Sequence, residues 1–208
     1  MTITKKTRLL AAPFVGTRIR IKLDDPESLA WGIYTLTLAE GREKAVIDWG
    51  DGASDMVADS SPVIHTYAKT GDYEIRISDD ISGLRCSTSS SMPDFRNVYA
   101  PMIREFFTNS TLLGTLENYC FDFAINLRVV SCARSGVRKI MKSAFYECIS
   151  LAGRLDFPGV EFLASGSFRN CTEITELHFD AANEATIRTL SGFDTKFGAE
   201  NATVFFDL

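Results

Sequence analysis

One stretch of this chain nearly copies another. Ser143-Ala144-Phe145-Tyr146-Glu147-Cys148-Ile149-Ser150-Leu151 is followed by Gly166-Ser167-Phe168-Arg169-Asn170-Cys171-Thr172-Glu173-Ile174. The step from Phe145 to Phe168 is the same as that from Cys148 to Cys171 and from Leu151 to Ile174. Upstream, 137–140 matches 160–163 at the same step. A fixed period of this length constrains the fold more than any composition can. A unit so small cannot bury its own apolar side, so it must stack on its neighbours, with equivalent residues forming ladders. Phe145 over Phe168 and Leu151 over Ile174 are two predicted ladders, with the polar residues between them facing water. An earlier copy places Phe121 and Leu127 one such step, lengthened by a single position, before Phe145 and Leu151, with Ala124 at the cysteine position. A later copy is expected from Phe193 through 202–206, without the cysteine, and 98–103 reads as a first copy matching 156–160. The end copies depart from the pattern, as capping units do.

The repeat also accounts for cysteine. The chain has five, with no CxxC spacing to suggest a zinc knuckle. Cys148 and Cys171 hold equivalent interior positions, where a thiol serves as a small apolar side chain. A ladder position does not by itself supply disulfide geometry, so five free thiols are expected.

The pattern Ala/Ser-Phe-x-x-Cys-x-x-Leu, recurring at this fixed step, resembles the BspA-type leucine-rich repeats of bacterial surface proteins, over about 95–208. The resemblance implies a short leucine-rich-repeat solenoid that binds host proteins or other cells, with no conserved catalytic centre.

The first half reads differently. Ile19, Ile21 and Leu23 alternate with basic residues, and 33–38, 45–49 and 63–67 are further short runs of strand formers. Lys69-Thr70-Gly71-Asp72 reads as a tight turn leading a hairpin through Tyr73, Ile75 and Ile77. Short strands with turn signals about every ten residues suggest an all-β sandwich. Asp48-Trp49-Gly50-Asp51-Gly52, His65-Thr66-Tyr67 and Gly71-Asp72-Tyr73 together resemble the polycystic-kidney-disease (PKD) domain family over about 15–82. That resemblance implies an immunoglobulin-like β-sandwich, used as a spacer or adhesive module on extracellular proteins. Gly50 and Gly52 suit a turn, and Asp51 can bond backbone N–H groups there. A calcium site from Asp48, Asp51 and Asp55 is weighed against this, but their spacing does not match an EF-hand loop. Trp49 and Tyr67 are expected in the core, and the resemblance implies that His65 lies on a strand and bonds to the turn.

The Ser-rich segment 82–93, ending in Pro93, is the expected linker. The fold class is therefore mainly β: an N-terminal immunoglobulin-like sandwich over 1–88, with an arm at 1–14, and a C-terminal leucine-rich-repeat domain over 89–208.

The formal net charge is −5, shared by both halves, which argues against a nucleic-acid partner. No apolar stretch approaches the roughly 18 residues of a membrane span. The basic N-terminus has a short apolar run broken by Pro13 and makes a poor signal peptide, although both resemblances point to the cell surface. No nucleophile–base pair, P-loop or zinc-protease motif occurs, so no catalytic, cofactor-binding or metal residue is expected. Asn109, Asn170 and Asn201 begin N-x-S/T triplets, and 133–139 reads as a solvated basic turn. Alternation places His178 on the solvent side of a repeat strand; with Glu176 and Asp156 it forms the candidate partner-binding set. The expectation is a non-catalytic adhesion or recognition protein that contacts a protein or glycan on another surface. Two rivals are a carbohydrate-binding accessory module, for which Trp31 would be the platform, and a structural component of a phage or virion.

Overall fold

The structure, a computed structural model, describes residues 14–27, 29–86, 100–132, 134–191 and 196–208. The strands before residue 87 are β1 (Gly16–Leu23), β2 (Ala30–Ile33), β3 (Thr35–Leu38), β4 (Ala45–Asp48), β5 (Ser54–Val57), β6 (Val63–Thr66), β7 (Gly71–Ser78) and β8 (Ile81–Arg85). After residue 99 come β9 (Ile103–Thr108), β10 (Thr115–Leu116), β11 (Val129–Ser131), β12 (Lys139–Ile140), β13 (Gly153–Phe157), β14 (Phe162–Leu163) and β15 (Ile174–Phe179). Helix α1 (Glu184–Ser191) and strand β16 (Thr203–Phe206) complete the described elements.

The repeat closes into coils through a corner with a left-handed residue at each end. Tyr119, Ser143 and Gly166 have φ of 62°, 55° and 71°; Phe123, Glu147 and Asn170 have φ of 59°, 58° and 62°. These are equivalent positions in successive coils. Between them the backbone hydrogen bonds split in two directions. The N–H groups of Tyr119, Phe121 and Phe123 donate to the carbonyls of Lys142, Ala144 and Tyr146 in the next coil. Those of Cys120, Asp122 and Ala124 donate three residues back within their own coil, to Glu117, Tyr119 and Phe121. The next coil repeats the scheme: Phe145 and Glu147 donate to Ser167 and Arg169, while Tyr146 and Cys148 donate to Ser143 and Phe145. A buried corner thereby pairs its peptide groups without a helix or a long strand.

Stacking follows from those rungs. Phe121, Phe145 and Phe168 are buried, with centroids 5.2 Å and 5.0 Å apart and rings within 26° and 6° of parallel. Such separations are close to the spacing between hydrogen-bonded strands. The cysteine position carries Ala124, Cys148 and Cys171, and the leucine position carries Leu127, Leu151 and Ile174, all buried. The Sγ of Cys148 donates to the Phe121 carbonyl at 3.3 Å, and that of Cys171 to the Phe145 carbonyl at 2.8 Å. Two parallel ladders form the sides of the coils. One runs β8-β10-β12-β14, with Leu84, Leu116, Ile140 and Leu163 in register. The other side carries β9-β11 and then β13-β15-β16.

The last copy sits later than the sequence suggests. Phe193 lies outside the described residues. Ala199 N–H donates to Lys196 and Ala202 N–H to Ala199, as Cys171 donates to Phe168 and Ile174 to Cys171. Ala199 therefore takes the cysteine position and Ala202 the leucine position, so the step from Cys171 to Ala199 is longer than that from Cys148 to Cys171. The longer step accommodates the 3-10 turn Ala181–Asn183 and α1, whose Ile187 is buried. The first copy is also displaced. Glu105 pairs with Val129 and Phe106 with Val130, so it lies in β9 rather than at 98–103, of which 98 and 99 are outside the described residues.

The two-module architecture is not what forms. The first-half strands pair antiparallel, β1 with β7, β7 with β4, β4 with β5, and β3 with β8. Both of their sheets then continue into the repeat: β1 pairs with β9, and β8 pairs in parallel with β10. One apolar core runs from Ile19 and Trp31 through Phe106 and Phe121 to Phe179. The described residues therefore make a single continuous β-solenoid, its first end built from antiparallel strands. No separate immunoglobulin-like sandwich stands apart from it. No leucine-rich-repeat horseshoe forms either: the coils have a turn at the Phe–Cys corner and strands on two sides, and α1 belongs to the last coil only. The hairpin across 69–72 is also absent, since β6 pairs with β2 while β7 pairs with β1 and β4. The boundary at 88/89 and most of the 82–93 linker lie outside the described residues, as does the arm over 1–13; 82–85 belong to β8.

A left-handed backbone costs an ordinary residue about 1–2 kcal/mol and glycine far less. Ser143 holds the position that Gly166 holds one coil later, and its hydroxyl has no hydrogen bond among the described residues. Ser143→Gly is expected to stabilise the protein by about 0.5–1 kcal/mol and Gly166→Ala to destabilise it by about 1 kcal/mol in urea melts. Destabilisation by Ser143→Gly would contradict the corner geometry.

Candidate functional site

Parallel pairing of β13 with β15 sets Arg154 opposite Glu176 and Asp156 opposite His178, and pairing of β15 with β16 sets His178 opposite Phe205. Inward-facing Leu155, Leu177, Phe157 and Phe179 are buried, so the alternate residues form an outer face. The three residues singled out from sequence therefore share one sheet surface. Asp156 and Glu176 are exposed over 44% and 42% of their side chains.

His178 departs from the solvated strand residue that alternation suggests: its side chain is only 3% exposed. Its ring stacks on Phe205, 4.5 Å between centroids and 14° from parallel. Nδ1 lies 2.7 Å from Asp207 Oδ1 and Nε2 lies 2.9 Å from Glu176 Oε2. Only the doubly protonated ring donates at both nitrogens. Loss of solvent disfavours that charge, but the hydrogen bonds to Asp207 and Glu176 outweigh it, and the pKa is raised. Arg154 Nε reaches Asp156 Oδ1 at 2.7 Å, a bond that also raises the pKa of Arg154. The face is thus a row of charges held by mutual hydrogen bonds on a parallel ladder.

The first-half motif residues occupy a different place. Asp51 Oδ2 lies 2.8 Å from His65 Nε2, and Asp51 Oδ1 accepts from the Ala53 N–H. These bonds, that of His65 foremost, lower the Asp51 pKa. Asp48 accepts from the Gly50 N–H, and Asp55 accepts from Trp49 Nε1. Each of the three carboxylates weighed as a calcium set thus has at least one oxygen hydrogen-bonded, to turn N–H groups, His65 or Trp49. At Gly50, φ is 81° and an added Cβ would lie 2.6 Å from the Glu74 carbonyl oxygen, which accounts for glycine there. Trp49 and Tyr67 are buried, and the Tyr67 hydroxyl donates to the Trp49 carbonyl. His65 stacks on Trp49 at 5.1 Å. Trp31, proposed as a sugar platform, is 0% exposed and packs edge-on against Trp49, so it presents no face to a ligand.

Neither histidine is hydrogen-bonded to a hydroxyl or thiol among the described residues. All five cysteines are free and buried, and burial pushes up the thiols of Cys120, Cys132 and Cys148, that of Cys132 to about 12. Thiols so shifted are poor nucleophiles at neutral pH. Among the described residues no helix is long and apolar enough to cross a membrane. The amides of Asn109, Asn170 and Asn201 are engaged with Phe14, Glu147 and Thr172.

Sequence reasoning missed Asp122. It is buried beside Arg85 and Glu147, and burial raises its pKa to about 7 against the pull of Arg85. Nothing in its local sequence separates it from a surface turn residue, because its burial comes from the corner. No protein-family model, curated protein or solved structure matches the chain.

A histidine with a raised pKa contributes stability that is present below its unfolded value, near 6.5, and is lost as pH rises through the folded value. His178→Gln is expected to cost about 1 kcal/mol at pH 6 and progressively less toward pH 9, measured by denaturant melts. A cost independent of pH would show that the ring acts by packing alone.

Proposed function

We propose that this protein is a non-catalytic recognition protein that holds a protein partner against the outer face of β13, β15 and β16. The observation that carries the reading is the fixed charge row formed by Arg154, Asp156, Glu176, His178 and Asp207. Side chains already ordered by one another lose little further freedom on binding, and a row of mixed sign selects a partner by complementarity more than by hydrophobic area. Arg154, Asp156, Glu176 and Asp207 remain about half exposed, so they can exchange water for partner groups. Neither histidine is placed beside a nucleophile, which favours binding over catalysis.

The test is surface plasmon resonance of the immobilised protein against a panel of purified matrix and cell-surface proteins. A partner found there should bind the Asp156→Ala/Glu176→Gln variant at least about tenfold more weakly. The control, Glu27→Lys/Glu43→Lys on exposed residues elsewhere, should bind as the parent does. An unchanged affinity for the strand-face variant would end this reading.

A further inference from the structure

A second surface carries an unbalanced charge. On this acidic chain, exposed arginines commonly sit beside carboxylates: Arg20 with Glu74 and Glu105, Arg76 with Glu74, Arg154 with Asp156 and Arg188 with Glu184. Arg18 and Arg134 make no such pair among the described residues. Cross-strand register sets Arg18 beside Phe107, and Phe107 beside Ser131; Arg134 follows shortly after Ser131 in the chain. With Thr108 and Asn109 these residues line a recess of about 270 Å³.

The donors facing this recess are largely uncommitted. The Arg18 guanidinium lies over the Phe107 ring, 5.4 Å from its centroid, a contact that orients the fork without using its N–H groups. The Ser131 hydroxyl and the Arg134 fork have no hydrogen bond among the described residues. Asn109 and Thr108, by contrast, are committed: Asn109 bonds Gly16 and Phe14, and Thr108 bonds Thr17. They form a wall. The adjoining, larger recess is lined by Arg20, Lys22, Arg104 and Arg128 together with Asp72, Glu74 and Glu105, so its cations are nearly balanced.

We propose that the recess between β1, β9 and β11 binds a compact oxyanion group, a carboxylate, sulfate or phosphate, held by Arg18 and Arg134 with Ser131 as a third donor. Guanidinium forks match the paired oxygens of such groups. The volume falls below the roughly 300 Å³ at which drug-sized ligand pockets begin, which suits an anionic head whose carrier remains outside. The group can come as a free ion or on an acidic saccharide.

Nuclear magnetic resonance of arginine side-chain Nε–H groups in the full chain tests this at low salt, with sodium sulfate, sodium phosphate and a glucuronate-bearing disaccharide as probes. The Arg18 and Arg134 signals should shift saturably, with Kd on the order of 1 mM for an inorganic ion. Arg18→Gln and Arg134→Gln should each weaken binding about fivefold or more. Arg18→Lys should weaken it too, since a point charge does not replace a fork. Arg128→Gln, a cation outside the recess, should leave it unchanged, and backbone spectra of all variants should keep the parent dispersion. Tighter binding of the disaccharide identifies a saccharide carrier, and equal binding identifies a free ion; either supports the site. Equal response to chloride, equal loss in Arg128→Gln, or no saturable shift with any probe would overturn it.

Discussion

The fold rests on backbone hydrogen bonds between coils at a corner where no regular element could supply them. Tyr119, Phe121 and Phe123 donate forward to the next coil, while the residues between them donate back within their own. Left-handed residues at the two ends of the corner accompany this split, and everything stacked inside inherits its spacing. Phe145 lies 5.0 Å from Phe168 because the rungs hold the coils near the strand–strand distance. The cysteine position is small because it sits inside the same turn, and a thiol can also donate to the carbonyl of the coil before it. The corner thus ties local backbone chemistry to the repeat pattern and to the long apolar core.

The same requirement explains why the first half is part of the solenoid. A strand edge with unpaired N–H and C=O groups invites another strand. The free edge of β1 is taken by β9, and that of β8 by β10. The antiparallel strands therefore act as the first end of the coil stack, and the core passes through the junction without a break. The two surfaces with functional potential follow from this continuity. The charge row on β13, β15 and β16 lies along the last coils, and the cationic recess lies where β1 meets β9 and β11.

What could be read from sequence was what local chemistry determines. The fixed step between copies placed Phe121, Phe145 and Phe168 in one ladder, and Leu127, Leu151 and Ile174 in another. The turn at 48–52 followed from residue types that favour it, and a bond from His65 to that turn followed from the family resemblance, which did not name Asp51 as its partner. The shared face of Asp156, Glu176 and His178 followed from strand alternation. Edge pairing did not follow, because a turn motif specifies its own hairpin and is silent about which distant strand meets the outer edge. Two family-like motif sets therefore suggested two modules where one body forms. The last coil was misplaced because α1 lengthens the step between Cys171 and Ala199, which a fixed period cannot anticipate. The cover over His178 comes from Phe205 and Asp207, which lie on the next strand and just beyond it, outside the reach of a local pattern.

Continuity of the core is the central claim, and tryptophan fluorescence tests it most directly. Both tryptophans, Trp31 and Trp49, lie in the first half, whereas Phe168 lies well into the repeat. In urea unfolding, Phe168→Ala should lower the fluorescence midpoint together with the circular-dichroism midpoint, the two transitions coinciding. A fluorescence midpoint unmoved by that substitution, with a second transition seen only by circular dichroism, would contradict a single body.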